Sequence, residues 1–181
     1  MPRTTKLSLR LLVAESLMTA LIAVCSFIAL PFFLIPITMQ TYGIYFALFF
    51  LGGRAGFISV LLYVAIGAVG LPVFSGFSGG IARLFDAGGG FIWGFLIAAL
   101  VFWVLTAFLP SGRGVFVIAS ALSLLSLYLT GTLWYALVYL NGAGDILYVL
   151  GVCVFPFILP DILKIALAYI LSRKLSGVIK I

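Results

Sequence analysis

The sequence predicts an all-α membrane protein: six transmembrane helices in one compact bundle, with both termini on the cytoplasmic side. Three observations lead there. First, the 181-residue chain is 65% hydrophobic and only 8% charged. Water-soluble domains are roughly 45–50% apolar and about 25% charged, and a chain this short has too little interior to hide the excess. Second, uncharged runs of 38, 28, 26 and 31 residues lie between Glu15 and Arg54, Arg54 and Arg83, Asp86 and Arg113, and Arg113 and Asp145. Each exceeds the ~18 residues that mark a candidate span. Third, with a cytoplasmic N-terminus and six spans, eight of the ten cations share the inner side: Arg3, Lys6, Arg10, Arg54, Arg113, Arg173, Lys174 and Lys180. That asymmetry is the positive-inside bias.

The elements follow in order, within a single integral membrane domain over 1–181. The first helix runs near 10–30; its apolar stretch is too long for the core of a signal peptide, and no polar mature domain follows. Pro31 and Pro36 divide the 38-residue run, and Ile-Pro-Ile-Thr-Met-Gln at 35–40 reads as a re-entry turn. The second helix, near 40–51, spans only ~16 Å at 1.5 Å per residue. The third lies near 54–70. A long connection, 71–90, precedes helices near 90–109 and 114–140. A short cap helix near 145–154 ends at Pro156 and Pro160. The last helix, near 160–176, starts with Pro160 at its first position, where a missing N–H is harmless. Asp161 then falls in the first turn, where the helix dipole favours an anion.

Composition also excludes functions. The absence of histidine removes imidazole bases, catalytic triads and His-ligated zinc. Cys25 and Cys153 lie in apolar stretches without CxxC spacing and read as small core residues. Gly-Gly-Arg-Ala-Gly at 52–56 lacks the ending of a phosphate-binding loop. The net charge of +6 is scattered over short loops facing anionic lipid rather than gathered on a nucleic-acid-binding face. No cofactor is expected. Glu15 is expected to pair with Arg10 or to reach the interface.

An ionisable residue inside a span is costly and marks a functional candidate. Asp161 and Lys164 stand at i, i+3, which puts both side chains on one helical face; a structural ion pair pinning the helix start is the plainer alternative. The 71–90 connection holds six of the chain's 20 glycines and exceeds the two to eight residues usual between packed helices. It reads as a lid, with Phe74, Phe77 and Phe85 above an apolar pocket. Arg83 is a candidate partner for a ligand carboxylate, or alternatively for Asp86. Ser16, Thr19, Ala20 and Ala23 give small-xxx-small spacings suited to close helix contact, either internal or with a partner subunit.

Several pieces in order carry a family resemblance: Ile35-Pro36-Ile37-Thr38-Met39-Gln40, Tyr63, Gly67-Ala68-Val69-Gly70-Leu71-Pro72-Val73-Phe74, Ser78-Gly79-Gly80, Gly89-Gly90-Phe91, Gly94-Phe95, Pro156-Phe157, Asp161 and Lys164. From about residue 14 onward the chain resembles BioY, the biotin-specific S components of energy-coupling factor (ECF) transporters. Asp86-Ala87 and Gly52-Gly53 depart from the Gly-Pro expected at each place. The resemblance implies the S-component fold in a prokaryotic cell membrane and high-affinity capture of biotin from outside. It also implies a transmembrane coupling subunit and two ABC-type ATPases as partners, with Ser16, Thr19, Ala20 and Ala23 at the partner interface. For biotin, Asp161 would accept a ureido N–H and Lys164 would donate to the ureido oxygen. Arg83, with the N–H groups of Gly79 and Gly80, would hold the valerate carboxylate. Phe74, Tyr63 and Trp93 would cover the ring, and Gln40 would line the floor.

Other readings stay open. An S component for thiamine or riboflavin would share the architecture, although Lys164 and Arg83 argue against a cationic ligand. A structural subunit would bind no small molecule. An enzyme is the weakest reading, because one Asp-Lys pair without histidine or metal makes no acid-base set.

Overall fold

The computed structural model describes residues 9–30, 35–110, 112–142 and 145–177. Arg3, Lys6 and Lys180, used above to assign orientation, and the Pro31 break lie outside the described residues. The helices follow the uncharged runs: α1 (Leu9–Phe27), α2 (Gln40–Leu51), α3 (Gly53–Val69), α4 (Gly89–Phe108), α5 (Arg113–Trp134), a short α6 (Ile146–Cys153) and α7 (Phe155–Ser176). Among the described residues, four stretches are long and apolar enough to cross a membrane: Leu9–Phe27, Gly89–Phe108, Gly114–Tyr139 and Ile146–Ser176. α2 and α3 are apolar but shorter, at 12 and 17 residues. The protein is a multi-pass membrane protein.

Three local expectations change. The segment 35–40 is more than a turn: after α1, β1 (Ala29–Leu30) pairs antiparallel with β2 (Ile37–Thr38), with Ala29 opposite Thr38, and Met39 N–H donates to Ile28 O at 3.0 Å. This hairpin absorbs the last residues assigned to the first helix and sets the entry of α2. α5 ends in a wider turn, Tyr135–Tyr139, wound with π-type bonds. α7 starts five residues earlier than expected, with Pro156 in its opening turn and Pro160 inside the helix. Pro160 there forfeits a single i→i−4 bond, to Pro156 O, close to the helix end. Asp161 therefore lies in the second turn, beyond the first-turn amides expected to favour its charge.

α2 explains how a 12-residue helix belongs to this bundle. Eight of its residues are buried, from Gln40 through Leu48, and it packs against α1, α3, α4 and α7. A helix apolar all round is a core element, so α2 need not meet lipid along its length. Its contact with α3 is backbone to backbone: a Cβ on Gly56 would sit 2.7 Å from Leu48 Cα. Leu17, Leu125, Leu129, Leu163 and Leu167 are exposed on α1, α5 and α7 and form the apolar outer surface. Glu15, by contrast, is buried in α1 instead of reaching the interface. Its Oε1 has no hydrogen-bond partner, and among the described residues it forms no ion pair with Arg10. Because α2 and α3 approach too closely at Gly56 to admit a Cβ, Gly56→Ala is expected to cost about 1–3 kcal/mol, seen as a lower Tm in detergent. An unchanged Tm would mean that the two helices separate freely.

Candidate ligand-binding site

A cavity of about 660 Å³, counted to its mouth, lies where α2, α4, α5 and α7 meet beneath the 71–88 connection. α4 contributes Phe91, Ile92 and Phe95, α5 contributes Leu127 and Tyr128, and α7 contributes Phe157, Asp161 and Lys164. Thr38, Gln40 and Thr41 face it from the hairpin and the start of α2, and Phe74, Ser75, Arg83, Asp86 and Gly88 from the loop.

The α7 wall carries the charge. Lys164 Nζ donates to Asp161 Oδ1 at 2.9 Å, and their side chains are only 10% and 3% exposed. The Tyr128 hydroxyl donates to Asp161 Oδ2 at 3.0 Å. Each carboxylate oxygen keeps a lone pair and the ammonium keeps two of its three protons, so the group can still accept from and donate to a ligand. A pair placed this way presents acceptor and donor side by side.

Gln40 is fixed by its neighbours. Thr38 Oγ1 donates to Gln40 Oε1 at 2.8 Å, and Gln40 Nε2 donates to the Tyr63 hydroxyl at 2.6 Å. One amide proton of Gln40 remains for the cavity. Tyr63 itself is fully buried behind Gln40 and is not among the cavity's lining residues. Its ring meets the edge of Phe74 at 5.5 Å.

The covering loop is tied at several points. Phe74 is seated in a notch left by Gly67, where a Cβ would come within 2.2 Å of the ring. Phe74 and Ser78 exchange backbone bonds of 2.9 and 3.3 Å around a tight turn. Phe77, at that turn, adopts φ +53°, strained for a residue with a Cβ, and its ring stacks on Phe27 at 4.3 Å. Ser26 Oγ donates to Val73 O at 2.6 Å. At the other end of the loop, the indole N–H groups of Trp93 and Trp134 donate to Leu84 O and Asp86 O at 3.2 and 3.1 Å.

These bonds bear on the places of Gly79, Gly80, Trp93 and Arg83. Gly80 N–H is spent on Gly67 O at 2.7 Å, and Gly79 packs against Leu71 O, where a Cβ would approach to 2.2 Å. None of Gly79, Gly80 and Trp93 is among the residues lining the cavity, and the Trp93 indole ties down the loop at Leu84 O. Arg83 does face the cavity, but Nη1 is paired with Asp86 Oδ2; Asp86 Oδ1 in turn accepts Gly88 N–H at 2.9 Å. Arg83 Nε is left without a partner.

The small-residue faces of α1 diverge as well. Ser16 and Ala20 are exposed, whereas Thr19 is buried and Ala23 is half-buried. Thr19 Oγ1 bonds Glu15 O and Ser59 O at 2.9 and 3.1 Å, so that residue holds α1 to α3. Sequence reasoning missed Tyr128 and Thr38 as site residues. Tyr128 lies in a long apolar run and carried no signal of its own. Thr38 was legible only as part of the 35–40 segment.

Fold and site together define a class: a membrane-embedded helical bundle with a cavity that carries a buried charged pair on one wall. The BioY family matches residues 2–180, and the chain belongs to that family. It is 40% identical to the probable biotin transporter BioY of Pyrococcus horikoshii over 164 residues, covering 90% of this chain and 93% of that one. It is 33% identical to the biotin transporter BioY of Thermotoga maritima over 156 residues, 86% of this chain and 80% of that one. In structure it is similar to the S-component for biotin from an ECF-type ABC transporter, with a TM-score of 0.77 and 25% identity, covering 98% of this chain and 95% of the other.

The buried pair makes its own stability prediction. Lys164→Ala strands a desolvated carboxylate and is expected to cost about 3 kcal/mol. Asp161→Asn combined with Lys164→Met should melt above Lys164→Ala in detergent. If Lys164→Ala melts with the parent, the pair contributes nothing to the bundle.

Proposed function

We propose that this chain is the biotin-binding S component of an ECF-type vitamin transporter. In this reading α1 to α5 and α7 lie within the membrane and both termini are cytoplasmic. Biotin enters with high affinity from the outside, and a transmembrane coupling subunit with two ABC-type ATPases drives its delivery. The exposed Ser16 and Ala20 of α1 supply the small-residue face for the coupling subunit.

The observation that carries the reading is the Asp161, Lys164 and Tyr128 group on one wall of a cavity whose other walls are aromatic and aliphatic. Biotin has the matching halves. Its ureido group offers N–H donors to Asp161 and a carbonyl to Lys164. Its thiophane ring is apolar and suits Phe74, Phe91, Ile92 and Phe95, and Gln40 borders the same space. Its carboxylate finds Arg83 at the loop, where the bond to Asp86 occupies only part of a five-donor guanidinium. Tyr63 acts through Gln40 and Phe74 as support.

The test is a thermal-shift screen of purified protein against a vitamin panel, backed by equilibrium dialysis. Biotin at a hundred times its Kd should stabilise by about 2.7 kcal/mol, and other vitamins should leave the Tm in place. Asp161→Asn should weaken biotin binding about thirtyfold or more, since losing one partner of a buried hydrogen-bonded charge pair costs about 2 kcal/mol or above. A shift with a different vitamin alone would reassign the ligand. Full biotin affinity in both Asp161→Asn and Lys164→Ala would remove the α7 pair from the site.

A further inference from the structure

We propose that the cleft between α5 and α7 holds an anionic phospholipid, with its acyl chain along the helices and its phosphate at Arg173. α5 packs along α4 and α7 along α2, and between α5 and α7 a slot of about 1,170 Å³ remains. Its outer edges are Val117, Ala121 and Leu125 on α5 and Ile162 and Ala166 on α7, all exposed, with Phe49 behind them. Of the three hydroxyl-bearing residues among its walls, Ser120 donates to Phe116 O and Tyr128 to Asp161, and Tyr169 stands at the end shared with the next pocket. Away from Tyr169 the slot is therefore apolar.

Towards the start of α5 and the end of α7 it continues into a second pocket of about 740 Å³; Phe49, Phe116 and Tyr169 line both. There the polarity changes, with Ser172, Arg173 and Ser176 on the wall. The serine protons go to Tyr169 O and Ser172 O at 2.9 and 2.8 Å, which leaves the Arg173 guanidinium and the Tyr169 hydroxyl as the side-chain donors. Among the described residues no carboxylate pairs with Arg173, and no acidic side chain lines either space. Gly112, at the same pocket, precedes α5 without a side-chain cap, so the positive end of the helix dipole adds to the cation.

The dimensions fit one leaflet. Gly112 to Tyr128 spans ~24 Å of helix at 1.5 Å per residue, against ~20–22 Å for one leaflet counted with its headgroup region. A partner helix would fill the slot but leave Arg173 unanswered. A free phosphate would satisfy Arg173 but leave the slot empty. A chain carrying an anionic headgroup answers both.

Native mass spectrometry of the full chain in neutral detergent tests this, with phosphatidylglycerol, phosphatidylcholine of the same chain length and inorganic phosphate as separate probes. We expect phosphatidylglycerol to be retained about fivefold over phosphatidylcholine, the effect of one cation near a lipid surface, and phosphate alone not to be retained. Arg173→Gln should reduce the preference to near unity, and Ala121→Trp, which fills the slot, should lower retention of both lipids. Equal retention of the two lipids by the parent would overturn the proposal. So would a preference that survives Arg173→Gln, or an Ala121→Cys crosslinker that captures polypeptide in native membranes in place of lipid.

Discussion

A carboxylate and an ammonium 2.9 Å apart inside an apolar bundle set the terms for the elements around them. Removing either ion from water costs several kcal/mol, and their attraction repays this only when geometry and further hydrogen bonds are right. The geometry comes from the i, i+3 spacing of α7, which must stay helical past Pro160 for both side chains to share a face. The further bond comes from Tyr128 on α5. α5 is in turn tied to α2, because the Tyr45 hydroxyl meets Ser123 Oγ at 2.6 Å and Ser120 O at 3.2 Å. One charged pair thus aligns α7 with α5, and α5 with the central helix.

The loop over the cavity answers a second constraint: polar backbone above an apolar bundle must find partners without filling the space beneath. It does so by placing small residues where chains touch. Gly67 receives the Phe74 ring, and Gly79 lies on Leu71 O. The loop amides and carbonyls are met by Gly67 O, Ser26, Trp93 and Trp134. Phe74 then serves twice, as the plug that seats the loop and as one wall of the cavity. The glycines serve close approach more than flexibility.

Much of this was legible because charge is scarce in the sequence. The positions of 14 charged residues marked the helices, and one acidic and one basic residue, Asp161 and Lys164, marked the candidate site. Tyr128 was not legible, since a tyrosine in an apolar helix suits a lipid-facing surface as well as a buried hydrogen bond, and only the placement of α7 decides. The start of α7 was misread because Pro156 and Pro160 each fit a first helical turn, and local propensity does not say which is tolerated inside. The roles of Gly80 and Trp93 depended on where the loop returns to the bundle. Their partners, Gly67 O and Leu84 O, lie 13 and nine positions away in the chain, and no spacing rule links them. The face of α1 was ambiguous in the same way: Ser16/Ala20 and Thr19/Ala23 have identical spacing, and the hydrogen bond from Thr19 to Ser59 O turns one of them inward.

Tyr128 has a further consequence for how the site is insulated. It lines both the polar cavity and the apolar cleft between α5 and α7, so a single residue forms part of the partition between a buried charge and the lipid side. A smaller side chain would remove the donor to Asp161 and open the partition together, whereas phenylalanine would keep the partition and lose the donor. The cost of an unsatisfied carboxylate rises as the local dielectric falls, so the partition and the hydrogen bond depend on each other. The ring keeps the environment that makes the bond to Asp161 strong, and that bond holds the ring in place as the wall.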